Sequence, residues 1–257
     1  MVVVGCSFFT DLSELSGGSD ATSTDGGDAA WSIDAGCLDG SVVVALNGTA
    51  FCIDAHEVTV SEYEAFLTAK MGDTSGQPSY CAFNTTFQPS TWPQANPSRP
   101  VVAVDQCDAI AYCAWAGERL CGAVDGGHAD PDNLTDPGGQ WYFACSHSGD
   151  GVHLYPYGLD YDGSACNGAD FWGDAGPHAT DVESSPGCVG GFAGIFDMSG
   201  NVYEWEDSCH SYDGGDDKCM ARGGSYASGP AALACAASYP AARSVQDNQF
   251  GFRCCSP

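Results

Sequence analysis

The chain has 257 residues, enough for one large domain with its own core, and 44% of them are hydrophobic. It carries 34 Asp plus Glu against 7 Lys plus Arg, a net charge of −27. That balance excludes nucleic acid, which needs a basic footprint, and repels an anionic membrane surface. It favours divalent cations, although most of these carboxylates read as the acidic, soluble exterior of an exported protein.

The first element is the start itself. Val3-Val4-Gly5-Cys6 resembles a bacterial lipobox, in which the cysteine is lipidated after signal-peptide cleavage. A signal peptide needs an apolar stretch of roughly 7–15 residues, so this reading requires coding sequence upstream of Met1. Residues 7 to about 36 are rich in Gly, Ser and Asp and lack a basic residue, which predicts a disordered, self-repelling tether. Phe8, Phe9 and Leu12 fit either a short helix or a membrane-proximal anchor.

The folded domain is expected over residues 37–257. Ser41–Leu46 and Phe51–Asp54 read as strands around the turn Asn47-Gly48. Ser61-Glu-Tyr-Glu64 reads as a capping box for a helix from Glu62 to about Lys70. Residues 71–100 read as a long irregular loop pinned by Cys81, and Pro100–Val104 as a short strand. Asp105 is expected to cap a helix that Gly117 stops. Gly122 to Gly139 reads as an acidic surface insertion, because its aspartates lack the order of a calcium loop. Gln140–Cys145 predicts a short buried helix, and Ala221–Tyr226 with Phe250–Cys255 a closing strand pair.

The 15 cysteines are scattered without C-x-x-C modules, which favours disulfides and an oxidising compartment over a zinc ribbon. Setting Cys6 aside leaves an even 14 and predicts seven disulfides. By proximity, Cys209 pairs with Cys219 and Cys166 with Cys188.

Six ordered blocks carry a resemblance to the formylglycine-generating-enzyme, or sulfatase-modifying-factor, family. They are Glu57-Val-Thr59; Pro100-Val-Val102 with Asp108-Ala109; Tyr112-Cys-Ala-Trp-Ala-Gly-Glu-Arg-Leu120; Tyr155-Pro-Tyr-Gly158; Asp197-Met-Ser-Gly-Asn-Val-Tyr-Glu-Trp205; and Arg222-Gly-Gly-Ser225 with Gly251-Phe-Arg-Cys254. The resemblance implies a complex α+β domain of the C-type-lectin-like kind, with little regular secondary structure. It departs after Leu120, where Cys121-Gly-Ala and the acidic insertion replace the family's usual continuation. It also implies the disulfides Cys113–Cys254 and Cys145–Cys235.

In the catalytic members two thiolates hold copper, three and eight residues after the Ser of the Gly-Gly-Ser block. Here those positions are Ser228 and Leu233, so the soft-metal pair is missing. The resemblance further implies structural calcium at Asp197 and Glu204 with the carbonyls of Gly200 and Val202, and more loosely at Asn167, Gly168 and Asp181. The alternative is that Asp197 caps a turn and Glu204 pairs with an arginine; the scarcity of basic residues favours calcium. The aromatics Tyr203 and Trp205 correspond to a peptide groove, against a core role for either. A related branch uses nonheme iron on histidines and a carboxylate. The six histidines here show no spaced pair on one helix and read as surface or loop residues.

The reading is therefore an exported, lipid-anchored, monomeric, non-catalytic domain of bacterial cell-envelope type. It would be stabilised by calcium and bind a peptide, protein or glycan. The alternative is a copper or nonheme-iron oxidoreductase acting on a peptide cysteine.

Overall fold

The computed structural model describes residues 36–173 and 176–256. Cys6 and residues 7–35 of the expected tether lie outside the described residues. Among the described residues the architecture is α+β, with three short α-helices and two four-stranded sheets connected by long irregular segments.

Strands β1 (Ser41–Leu46) and β2 (Thr49–Asp54) form the expected hairpin. Asn47 and Gly48 both take positive φ, as a two-residue turn matched to strand twist requires. Helix α1 (Val60–Lys70) starts earlier than Ser61 predicted. Its cap is Thr59, whose hydroxyl accepts the Glu62 N–H at 3.3 Å while the Glu62 carboxylate accepts the Thr59 N–H at 2.7 Å. Both Thr59-x-x-Glu62 and Ser61-x-x-Glu64 satisfy the pattern; the extended backbone at Thr59 decides between them.

Helix α2 (Gln106–Ala116) is capped by Asp105 and stopped by Gly117 in the left-handed region, as expected. The predicted strand at Pro100–Val104 is only a single bridge from Pro100 to Thr59. Ala103 has φ 57°, which breaks the extended run. Strand β3 (Arg119–Leu120) follows α2, and α3 (Gln140–Ser146) is entirely buried.

The C-terminal strands differ from the predicted pair. Strand β4 (Tyr203–Cys209) sits between β5 (Lys218–Arg222) and β7 (Phe250–Phe252), and β6 (Ser238–Ala242) forms the edge. β7 runs parallel to β4. Strand β8 (Cys254–Ser256) then crosses to the other sheet, between β2 and β3. Arg253 is the residue at the crossing.

Two core clusters flank this crossing. One packs Tyr63, Phe66, Tyr112, Trp205 and Phe252; the other packs Phe51, Ile53, Trp141, Phe143, Ile195 and Met198. Seven disulfides lock the layers: Cys37–Cys52, Cys81–Cys107, Cys113–Cys254, Cys121–Cys255, Cys145–Cys235, Cys166–Cys188 and Cys209–Cys219. Cys254 and Cys255 anchor β8 to α2 and to the residue after β3. Each bridge contributes roughly 2–4 kcal/mol.

Candidate functional site

The scarce cations are spent inside. Arg222, Arg243 and Arg253 are fully buried and pair with Glu206, Asp217 and Glu204 at 2.9, 3.2 and 2.6 Å. Lys70, Arg99, Arg119 and Lys218 are left for the surface and its edge.

Glu204 is the acid among these whose two oxygens both meet its arginine. Its Oε2 accepts from Arg253 Nε at 2.6 Å and Trp141 Nε1 at 2.8 Å, and its Oε1 accepts from Arg253 Nη2 at 2.7 Å. Arg253 uses its remaining donors on the carbonyls of Asp54 and Phe196. This fork ties β4 to the crossing between the sheets. Both oxygens expected to face calcium therefore face a guanidinium, which competes with a cation for the same place.

Asp197 sits at φ 59°, and its Oδ2 accepts the Glu183 N–H at 2.7 Å. Gly200 also has positive φ, and a Cβ there would lie 2.2 Å from the Asn167 carbonyl oxygen. That oxygen already accepts the Asn201 N–H. The Asn167 side chain is used up by Trp172, Asn201 and the His178 carbonyl. Val202 is buried, and Asp181 is turned to Asn96 and Arg99. Asn167 and Gly168 thus lie in a hydrogen-bonded corner of the fold.

One carboxylate in this centre lacks a complete partner set. Glu57 is fully buried; its Oε1 accepts from Asn201 at 3.0 Å and its Oε2 has no partner. Burial, then the neighbouring Asp197 and Glu204, push its carboxyl well above the usual range. Burial also pushes Asp197 up to about 6, against the pull of the Glu183 N–H and Arg253. Three acids therefore share one guanidinium. Glu57 stood inside a family block in the sequence, but only the fold shows its isolation.

The degenerate catalytic positions are closed. Ser228 is 8% exposed and Leu233 1%. The Ser228 hydroxyl accepts the Ser225 N–H at 2.9 Å and donates to the Tyr203 hydroxyl at 3.1 Å. Leu233 is wedged between two glycines; a Cβ at Gly168 would lie 2.5 Å from it and one at Gly224 2.9 Å. All fourteen cysteines among the described residues are in disulfides, Cys235 included.

The two groove aromatics separate. Trp205 is fully buried and donates its indole N–H to Val104 O at 3.0 Å, so it is a core residue. Tyr203 is half-buried, stacked on Phe250 at 5.2 Å and against Tyr239 at 5.4 Å. Tyr239 is 50% exposed. Ser228 thus adjoins an aromatic cluster whose outer ring, Tyr239, is open to solvent.

A second cluster has no counterpart in the sequence reading. His147 and His153 both direct Nδ1 at Asp150 Oδ2, at 3.1 and 2.6 Å. The local signal is His-x-x-Asp-x-x-His with glycines beside the aspartate, which is not a helical spacing.

A family model for the sulfatase-modifying factor enzyme 1-like domain matches residues 25–256. The chain belongs to this family. Among solved structures, CarF superposes with TM-score 0.55 at 21% identity, covering 84% of this chain and 95% of that one. PvdO from Pseudomonas aeruginosa gives 0.55 at 22% identity, covering 80% of each chain. Treponema denticola variable protein 1 gives 0.50 at 17%, covering 80% and 84%. At these identities the likeness is one of fold, and it supports the α+β, C-type-lectin-like architecture of the family. Serine/threonine-protein kinase Pkn1 of Chlamydia trachomatis is 33% identical over 114 residues, 44% of this chain. The chain spans only 14% of that protein's length. Family membership gives the scaffold; the chemistry has to come from the residues above.

Proposed function

We propose that this chain is a non-catalytic binding module of the sulfatase-modifying-factor family, working outside the cytoplasm. The observation that carries the reading is the Ser228–Tyr203 hydrogen bond with Leu233 packed behind it. The place where the enzymes need two thiolates holds a neutral oxygen and an alkyl side chain, and neither takes Cu(I). Beside it, Tyr203 and Tyr239 offer an amphipathic aromatic surface of the kind that recognises peptides or sugars.

Seven disulfides support an oxidising compartment. No helix among the described residues is long and apolar enough to cross a membrane. The fourteen cysteines among the described residues pair among themselves, and the lipobox likeness assigns Cys6 in this reading to lipid attachment. Structural calcium, which the family likeness implies, belongs in this reading at Glu57 and Asp197 and not at Glu204. Hard oxygen donors suit the ion, and Glu57 Oε2 is a buried carboxylate oxygen with no hydrogen-bond partner.

The test is a peptide and glycan array probed with the purified chain and with Tyr239→Ala, which removes a half-exposed ring from the outer side of Tyr203 and Phe250. Loss of signal in the variant is expected. Unchanged signal moves the binding face elsewhere. Oxidation of a cysteine-containing sulfatase-type peptide in the presence of copper overturns the non-catalytic assignment.

A further inference from the structure

We propose that His147, Asp150 and His153 form a binding site for one zinc-class divalent ion, with an open position facing solvent. The three donor atoms lie within 4.8 Å of one another. A tetrahedral zinc with bonds near 2.0–2.2 Å holds its donors about 3.3–3.5 Å apart, so binding draws the rings back slightly from Asp150 Oδ2, now at 3.1 and 2.6 Å, and closes any wider gap between their own nitrogens. Two imidazoles and one carboxylate suit zinc and its neighbours in the first transition row, whereas calcium and magnesium prefer oxygen alone.

The carboxylate is held for this task. Asp150 Oδ1 accepts the backbone N–H groups of Val152 and His153 at 2.8 and 2.9 Å. That fixes the group and leaves Oδ2 to the two rings. Such outer support is how protein ligands are oriented toward a metal. The chain reaches this geometry through an unusual turn. His147 ends α3 in the left-handed region, and Ser148, Gly149 and Gly151 also have positive φ. The tight winding brings rings six positions apart onto one oxygen. His147 is further braced by Phe192, 4.8 Å between ring centroids.

All three side chains remain accessible, at 35, 24 and 27% exposure for His147, Asp150 and His153. His153 also lines a cavity of about 210 Å³ with Pro156, Tyr157, Gly190 and Phe192. A bound ion would therefore keep room for water or for a donor from a partner. The other histidines lack this arrangement among the described residues. His128 meets one carboxylate, Asp207, and His210 meets one, Asp132; His178 stacks on Trp172. In a neutral protein the same hydrogen bonds would serve the loop alone. Here a net charge of −27 also raises the local concentration of divalent ions.

Calorimetric titration of tag-free, folded protein with zinc chloride tests the site, with cobalt as a spectroscopic probe. One ion per chain is expected, together with visible cobalt bands of a nitrogen-rich four- or five-coordinate centre. His147→Gln and His153→Gln should each weaken binding at least tenfold, while His128→Gln, His210→Gln and millimolar calcium leave it unchanged. The single-ring variants keep the backbone bonds to Asp150, so the loop should fold as judged by the melt. Binding that survives the double variant His147→Gln/His153→Gln is diffuse attraction to the acidic surface and overturns the proposal. So does the absence of binding at millimolar zinc. Neither result bears on the aromatic face at Tyr203 and Tyr239, which the array tests separately.

Discussion

Glu57 and Glu204 are the same residue type, both fully buried, in the same centre of the domain, and they are treated in opposite ways. Glu204 has an arginine fork and an indole N–H on its two oxygens. Glu57 has one amide on one oxygen and nothing on the other. A buried charge is stable only when paired and hydrogen-bonded; otherwise the group takes up a proton or gains a cation. With so few basic residues in the chain, the fold supplies a counter-ion to one glutamate and leaves the other dependent on something else.

The largest effect should come from breaking the satisfied partner. Glu204→Gln leaves the Arg253 guanidinium buried without its anion, at the crossing that joins the two sheets. Removing one side of a buried pair costs about 3–5 kcal/mol. The variant should unfold at markedly lower denaturant, with an unchanged dependence on denaturant concentration. A loss below about 1 kcal/mol would mean that Arg253 finds another acid, with Glu57 and Asp197 the neighbours at hand, and the contrast between the two glutamates would collapse.

Much of the scaffold was legible in the sequence, for local reasons. The Asn47-Gly48 turn, the Asp105 cap and the Gly117 stop are short-range signals, and the structure follows them. The central strand β4 was not seen as a strand. It is buried on both faces and shows no alternation, so periodicity could not separate it from the family block it lies in. The arginine–acid pairs were equally hidden. Arg253 and Glu204 are 49 residues apart, and only the parallel pairing of β7 with β4 brings them together. The scarcity of basic residues argued against an arginine beside Glu204; its position in the sheet gave it one. The histidine cluster was missed because a helix was the only spacing considered, while the loop achieves convergence through left-handed turns.

Asp105 and Asp108 lie between the two glutamates in kind: buried and hydrogen-bonded, with only a distant arginine to help. Burial holds Asp105 up at about 6, and burial plus the charge of Asp105 pushes Asp108 well above the usual carboxylate range. Unfolded aspartates titrate near 3.9, so between these values the folded state binds more protons. The stability they contribute is complete below about pH 4 and is lost as pH rises through about 6. Melting temperature in chelator should fall from pH 5 to pH 8, with a loss of roughly 1–3 kcal/mol. Asp108→Asn should flatten that slope. Burial would raise Asp217 too, but the Ser211 hydroxyl and the N–H groups of Gly214 and Asp213 hold it to about 2. Its opposite contribution appears only at more acidic pH. A profile that rises toward pH 8 would show that these carboxyls are ionised in the fold.

The smallest change in stability should come from Glu57→Gln, and it is the most informative about the contrast. In chelator the wild-type carboxyl is pushed toward its neutral form by burial and by Asp197 and Glu204. Glutamine copies that neutral shape and keeps an oxygen for the Asn201 amide. The variant should then match the wild type within about 1 kcal/mol. In millimolar calcium the two should part. An ion bound through Glu57 and Asp197 stabilises the wild type by mass action, about 2.7 kcal/mol at 100-fold excess over Kd. The variant, without the second carboxylate charge, should gain little. If calcium shifts neither melt, Glu57 is satisfied by a proton alone. If it shifts both equally, the ion sits elsewhere on the acidic surface and Glu57 is not its ligand. Either outcome leaves Glu204 and Arg253 as the only ionic solution in this centre.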